Sequence, residues 1–309
     1  EVMIWGGLDE DTDPEPKGAV YDPALDTWRA VAPDPGVGIR AACVEWTGDA
    51  VFVSGNVDAS TRTAGLYDPS TDTWRSVSQD GAPTARATPA CVWIGDELIV
   101  WGGSDGTGAA YDPVTDTWRP LPEVPGIQAL EPNGVWTGVD AFFIWSSGPL
   151  IAYRPSEDAW LLPSSVDAPV VGAKRLAWTG SEVIAWGPIG GPIPLMDGAR
   201  YDPSMDRWTP MDGRHRLVPR AGFVSAWTGS DLIIWGGDEL GGFARQFRDG
   251  ALYNPVRDAW TDIQTDGAPI VRSQAVGVWT GRELIYWSGT TDGGDLYRED
   301  GGRLDPYAE

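Results

Sequence analysis

The stretch Tyr67-Asp68-Pro69-Ser70-Thr71-Asp72-Thr73-Trp74 decides the fold, because it is hairpin chemistry that the chain repeats. Proline sets φ for a tight turn, and Asp and Thr side chains hydrogen-bond the local backbone. The Tyr-to-Trp interval of seven residues recurs at Tyr21/Trp28, Tyr67/Trp74, Tyr111/Trp118, Tyr153/Trp160, Tyr201/Trp208 and Tyr253/Trp260, and is continued by Tyr297 with Leu304. The tyrosines are 46, 44, 42, 48, 52 and 44 residues apart, the length of one four-stranded propeller blade.

Working outward from this hairpin, the other tryptophans fall into two further slots. One opens a Trp-Thr-Gly-like turn at Trp46, Trp93, Trp136, Trp178, Trp227 and Trp279. The other closes an apolar run at Trp5, Trp101, Trp145, Trp186, Trp235 and Trp287, with Ser54 standing in once. All 18 Trp are thereby placed. Each unit therefore offers four strands, A to D. Small residues such as Ala87, Thr88 and Ala90 suit an A strand crowded around an axis. Continuous apolar runs such as Leu98 to Trp101 suit a B strand covered on both faces. The C strand ends at Tyr-Asp-Pro, and the Trp-led D strand turns polar, as an outer edge should.

Small-residue pairs after the apolar strand (Gly6-Gly7, Gly102-Gly103, Gly236-Gly237), then Tyr, then Trp, resemble Kelch repeats over nearly the whole chain. The resemblance implies a single all-β Kelch-type β-propeller over residues 1–309. Its seven blades lie near 1–35, 36–82, 83–125, 126–168, 169–214, 215–267 and 268–309. The A-strand marker occurs six times and the C-to-D marker seven, so the first blade is expected to lack its inner strand; six blades plus a partial unit is the alternative. Kelch propellers include peptide adaptors, carbohydrate-processing enzymes and copper oxidases, so the resemblance leaves function open.

Charge and composition narrow the field. With 45 acidic against 22 basic residues, the net charge of −23 opposes nucleic acid and anionic membranes as partners. No apolar run reaches the roughly 20 residues of a membrane helix, so no membrane insertion is expected. A single His excludes the several-His ligand set of a galactose-oxidase-like copper site and any His-based metal triad, so neither metal nor cofactor is expected. Asp9, Asp11 and Asp13 imitate a calcium loop, but Pro14 occupies the position where a turn-forming Gly is required. Cys43 and Cys91 lie on inner strands of successive units at different offsets from Trp46 and Trp93. They either face one another or point apart, with two buried thiols the favoured reading.

Variation concentrates in one link. From the B-strand slot to the Tyr the chain runs 16, 13, 10, 8, 15, 18 and 10 residues, whereas the A-to-B and Tyr-to-Trp links hardly change. In an antiparallel meander the B–C and D–A loops share a rim, which makes that rim the expected binding face. Arg40, Arg86, Arg220 and Arg272 sit where the D–A loop enters strand A, while the equivalent positions in two units carry Ala129 and Val171. The resemblance implies that such arginines hold acidic ligands; pairing with local carboxylates is the competing reading. The longest B–C loop adds Phe243, Arg245, Phe247 and Arg248, and the D–A loop before it adds His215.

These residues give an expected non-enzymatic, monomeric propeller that binds an acidic peptide, protein or carbohydrate, with no catalytic residues. One alternative is a carbohydrate-active enzyme similar to Kelch sialic-acid mutarotases, with His215 or Glu131 moving a proton. Another is a structural spacer within a larger surface protein. Twenty Arg to two Lys, with abundant Ala, Gly, Asp and Pro, suggests a high-GC bacterium, and the repeat style a secreted or cell-surface protein.

Overall fold

The computed structural model describes residues 1–309 apart from 7–16, 34–35, 37–39, 57–61, 87, 125, 128, 147, 170–171, 173–174, 190–194, 213–216, 240–244, 266–269, 271, 292–295 and 309. The described residues fall into two compact units, Glu1–Leu162 and Pro163–Glu309. The fold is an all-β, seven-blade β-propeller whose blades are antiparallel sheets, and one 3₁₀ turn at Pro155–Glu157 is the only helix among the described residues.

The first unit holds four blades. Blade one has three strands, Val2–Trp5, Gly18–Asp22 and Thr27–Ala30, which are its B, C and D strands. Blade two runs through Arg40–Trp46, Val51–Asn56, Arg62–Asp68 and Thr73–Ser76. Blade three comprises Ala90–Trp93, Leu98–Trp101, Gly108–Asp112 and Thr117–Pro120. Blade four comprises Asn133–Trp136, Ala141–Ile144, Ile151–Arg154 and Ala159–Leu161. The second unit holds blade five (Arg175–Trp178, Val183–Ile189, Leu195–Asp202, Arg207–Pro210) and blade six (Val224–Trp227, Leu232–Trp235, Gly250–Asn254, Ala259–Asp262). Its last blade, seven, has three strands, Val276–Trp279, Leu284–Trp287 and Gly301–Leu304.

Among the described residues blade one shows three strands and no inner one, in line with the marker count. Blade seven corrects the sequence reading. Leu304, not Tyr297, fills its C-strand slot: Leu304 pairs with Leu284 just as Tyr253 pairs with Leu232. Tyr297 belongs instead to a two-residue strand against Thr290–Thr291 inside the B–C loop. Leu304-Asp305-Pro306 is thus the seventh version of Tyr-Asp-Pro, with the aromatic ring replaced by an aliphatic side chain.

The hairpin motif does more than turn the chain. Its second Asp sits at positive φ in six blades (Asp26, Asp72, Asp116, Asp158, Asp206, Asp258), a conformation Asp tolerates better than most residues. That places its carboxylate 2.6–2.7 Å from the hydroxyl of the Tyr five residues earlier, whose ring packs 4.8–5.3 Å from the Trp. The same Asp and Trp also grip the preceding blade. Asp72 accepts the Ala32 N–H at 2.9 Å while the Trp74 indole donates to the Ala32 carbonyl at 2.9 Å. Ser78 is held in the same way by Asp116 and Trp118, and Ser164 by Asp206 and Trp208. At Pro122 there is no N–H to offer, so only the Trp160 indole bond forms. Between blades, apolar layers such as Ile99 and Trp101 against Phe143 and Trp145 complete the core.

Candidate functional site

Three of the four recurring arginines tie the bases of their own B–C loops. Arg86 is buried, and its Nη1 donates to the carbonyls of Gly102 and Thr107, both at 2.9 Å. Arg220 donates to the carbonyls of Gly236 and Asp249, both at 3.2 Å, and to the Asp249 carboxylate at 2.8 Å. Arg272 donates to the carbonyls of Ser288 (3.1 Å) and Asp300 (2.9 Å), with the Asp300 carboxylate 3.1 Å from its Nη2. In each case one carbonyl lies just after the B-strand slot and the other just before strand C. The guanidinium therefore closes the base of the B–C loop whatever the loop's length, since a planar fork of five donors can bridge two separated acceptors.

For Arg86, Arg220 and Arg272 this geometry favours the competing reading, pairing with local groups, over ligand anchoring. They are 4 %, 0 % and 4 % exposed, and local carbonyls and Asp side chains hold their charged ends. Arg40 opens strand A of blade two, opposite Asn56, and its side chain lies outside the described residues. The units without such an Arg are explained too. In blade five the B and C strands stay laddered out to Ile189 and Leu195, and in blade four the B–C link is the shortest, so neither has a loose loop base to tie.

The second unit carries the most elaborated loop. After strand B of blade six, Asp238–Glu239 pairs with Arg220–Ala221, and Glu239 and Phe247 close a small hairpin through Glu239 N–H to the Arg245 carbonyl and Phe247 N–H to the Gly237 carbonyl, both at 2.8 Å. Two guanidiniums lie over the buried Phe247 ring, Arg220 at 4.1 Å and Arg245 at 5.2 Å from its centroid. Phe247, expected in a binding wall, is thus packed inside the loop. Gln246 donates to the Thr290 carbonyl at 2.8 Å and Ser273 Oγ to Asp238 at 2.9 Å, so this loop is tied to the next blade's B–C loop and to the segment before its strand A. Arg245 and Arg248 remain exposed on this framework beside the exposed Glu239 and Asp249. Phe243 and His215 lie outside the described residues, and Glu131 is exposed.

Two features escaped the sequence reading. Cys43 and Cys91 form a disulfide between the A strands of blades two and three, with Cα atoms 5.9 Å apart, correcting the expectation of two thiols. Glu45 lies two residues along from Cys43 and so points to the same side of its strand, 3.5 Å from the Trp93 N–H. Burial pushes its carboxyl up to about 7, partly opposed by that backbone hydrogen bond. A carboxyl whose pKa is higher folded than unfolded favours the folded state when protonated. Its contribution is present below about pH 4.5 and lost as pH rises through 7. Folding stability of Glu45→Gln should therefore be flatter between pH 5 and 8 and up to about 3 kcal/mol higher at pH 8 than that of the parent. Urea melts across that range check this; parallel pH profiles for both proteins would show that Glu45 does not titrate there.

No protein-family model matches the chain, and no curated protein is significantly similar to it. Among the described residues no group of three or more His, Cys, Asp or Glu is placed to hold a metal ion. Nor is any helix among the described residues long and apolar enough to cross a membrane.

Proposed function

We propose that this chain is a non-enzymatic interaction propeller of the Kelch type that takes an acidic peptide, protein or glycan on its B–C/D–A face. The contact residues are narrowed to Arg245 and Arg248. The observation that carries the reading is the blade-six loop. Its base is tied by Arg220 and its middle is packed on Phe247, yet it leaves two arginines at the surface of a chain whose net charge is −23. The loop that carries them is held at its base and middle, which limits the ordering cost of binding. The Cys43–Cys91 disulfide supports export to an oxidising compartment, where such bonds persist.

Poly-L-glutamate is the test probe, titrated by calorimetry at low and moderate salt. Binding should weaken as salt rises, and should fall roughly tenfold in the Arg245→Ala/Arg248→Ala double variant with its melting temperature unchanged, both side chains being exposed. Binding indifferent to salt and to both substitutions would remove this reading.

A further inference from the structure

Strand B of blade seven carries a polar side chain where the other six blades have none. The residue before the B-strand slot is Ile4, Val53, Val100, Ile144, Ala185 and Ile234 in blades one to six, and Tyr286 in blade seven. Tyr286 is 1 % exposed and belongs to the apolar cluster that Ile233, Trp235 and Leu252 of blade six form with Leu284 and Leu304 of blade seven. Directly across its own sheet stand Gly277 and Gly302, which offer no side chain. A phenol thus stands where the other blades place an aliphatic group, and its hydroxyl proton has no acceptor. A buried donor left unpaired bears its full desolvation penalty, so it calls for an occupant.

A second unmet donor lies beside it. The Arg272 guanidinium carbon is 5.2 Å from the centroid of the Tyr286 ring. In the two sibling arginines Nε donates to the carbonyl two residues back, Thr84 for Arg86 and Val218 for Arg220, both at 3.1 Å. Arg272 Nε makes no such bond and is buried without a partner, although Nη1 holds the two loop-base carbonyls and Nη2 the Asp300 carboxylate. The neighbouring Trp235 indole is also a donor only. The charged groups that act on the phenol are Arg272, Asp300 and Arg248, two positive to one negative. Burial pushes the Tyr286 hydroxyl up to about 12 against the pull of Arg272, so it remains a donor throughout the accessible pH range.

We propose that the corner formed by Tyr286 and Arg272, between blades six and seven, is a halide-binding site whose occupant is chloride. Donors without an acceptor, under a local excess of positive charge, specify an anion. The burial of both side chains, at 1 % and 4 % exposure, specifies a small one held within the wall. A monatomic ion fits because its spherical charge accepts from an N–H and an O–H arriving from different directions. Chloride there braces the base of the blade-seven B–C loop, which Arg272 ties, against the apolar wall of blade six. The site does not depend on the acidic-ligand reading.

Thermal melts at constant ionic strength, with chloride exchanged for bulky gluconate, test the assignment. The parent should show a saturable rise of roughly 5 °C in melting temperature as chloride replaces gluconate. Tyr286→Phe, which keeps the ring and removes only the hydroxyl, should lose that rise. In gluconate it should melt no lower than the parent, because the unmet donor is gone. Bromide in crystals of the parent should give an anomalous scattering peak within hydrogen-bond reach of Tyr286 Oη and Arg272 Nε. A parent indifferent to halide, an equal rise in Tyr286→Phe, or a Tyr286→Phe protein that melts below the parent in gluconate, as a bound water at the hydroxyl would cause, would overturn the proposal.

Discussion

Arg220→Ala should destabilise the protein by about 4 kcal/mol, whereas Arg245→Ala, at the same phenyl ring, should change stability by less than about 0.5 kcal/mol. The difference follows from position. Arg220 is fully buried and supplies the donors for two carbonyls at the loop base and for the Asp249 carboxylate. Removing it leaves those acceptors in low dielectric and takes one cation from the face of Phe247. Burial lowers the Arg220 pKa and Asp249 raises it again, yet a guanidinium stays protonated across the accessible pH range, so the loss should be nearly independent of pH between 5 and 8. Thermal melts should show a drop of roughly 10 °C for Arg220→Ala, with little recovery in Arg220→Lys because an ammonium cannot span the fork. Equal melting temperatures for Arg220→Ala and the parent would show that the tie is not structural. The comparison also guards the functional test: a binding defect in Arg220→Ala reports a collapsed loop.

Breaking the Cys43–Cys91 bond is the second large effect. Its sequence separation is 48, for which loop-closure entropy in the unfolded chain corresponds to about 4 kcal/mol. Cys43→Ser/Cys91→Ser should lose about 2–4 kcal/mol, and dithiothreitol should lower the parent's melting temperature toward that of the double variant while leaving the variant unmoved. Thiol titration of the unfolded, unreduced parent should find no free thiols. Two free thiols, or a melting temperature indifferent to reductant, would show that the bridge does not form in solution. The bond joins the inner strands of blades two and three, beside the Glu45 carboxyl. Its loss is therefore expected to loosen the wall that holds Glu45 out of water and to shrink the pH dependence that residue imposes.

The legible part of this protein was periodic. Tyr67 to Trp74 and its repeats identified the blades and their number, because each hairpin must satisfy its own turn geometry with the same few residue types. The one repeat misread, Tyr297, failed because the sequence offers an aromatic at an almost correct spacing while the true C strand ends at Leu304. Leu304-Asp305-Pro306 carried the signal that would have corrected it. The arginines were legible as a pattern but not as a role. Their spacing from the inner-strand Trp was regular, yet whether a guanidinium reaches inward or outward depends on where the B–C loop brings its carbonyls.

By itself, then, the amino-acid order determined what neighbours along the chain decide: turn types, strand periods, the blade count and the region of variable loops. Tertiary structure alone decided the pairing of Cys43 with Cys91, the burial of Glu45, and the inward course of Arg86, Arg220 and Arg272. These depend on which surfaces are brought within a few ångströms across tens of residues. In that setting desolvation and the demand for hydrogen-bond partners outweigh any local preference.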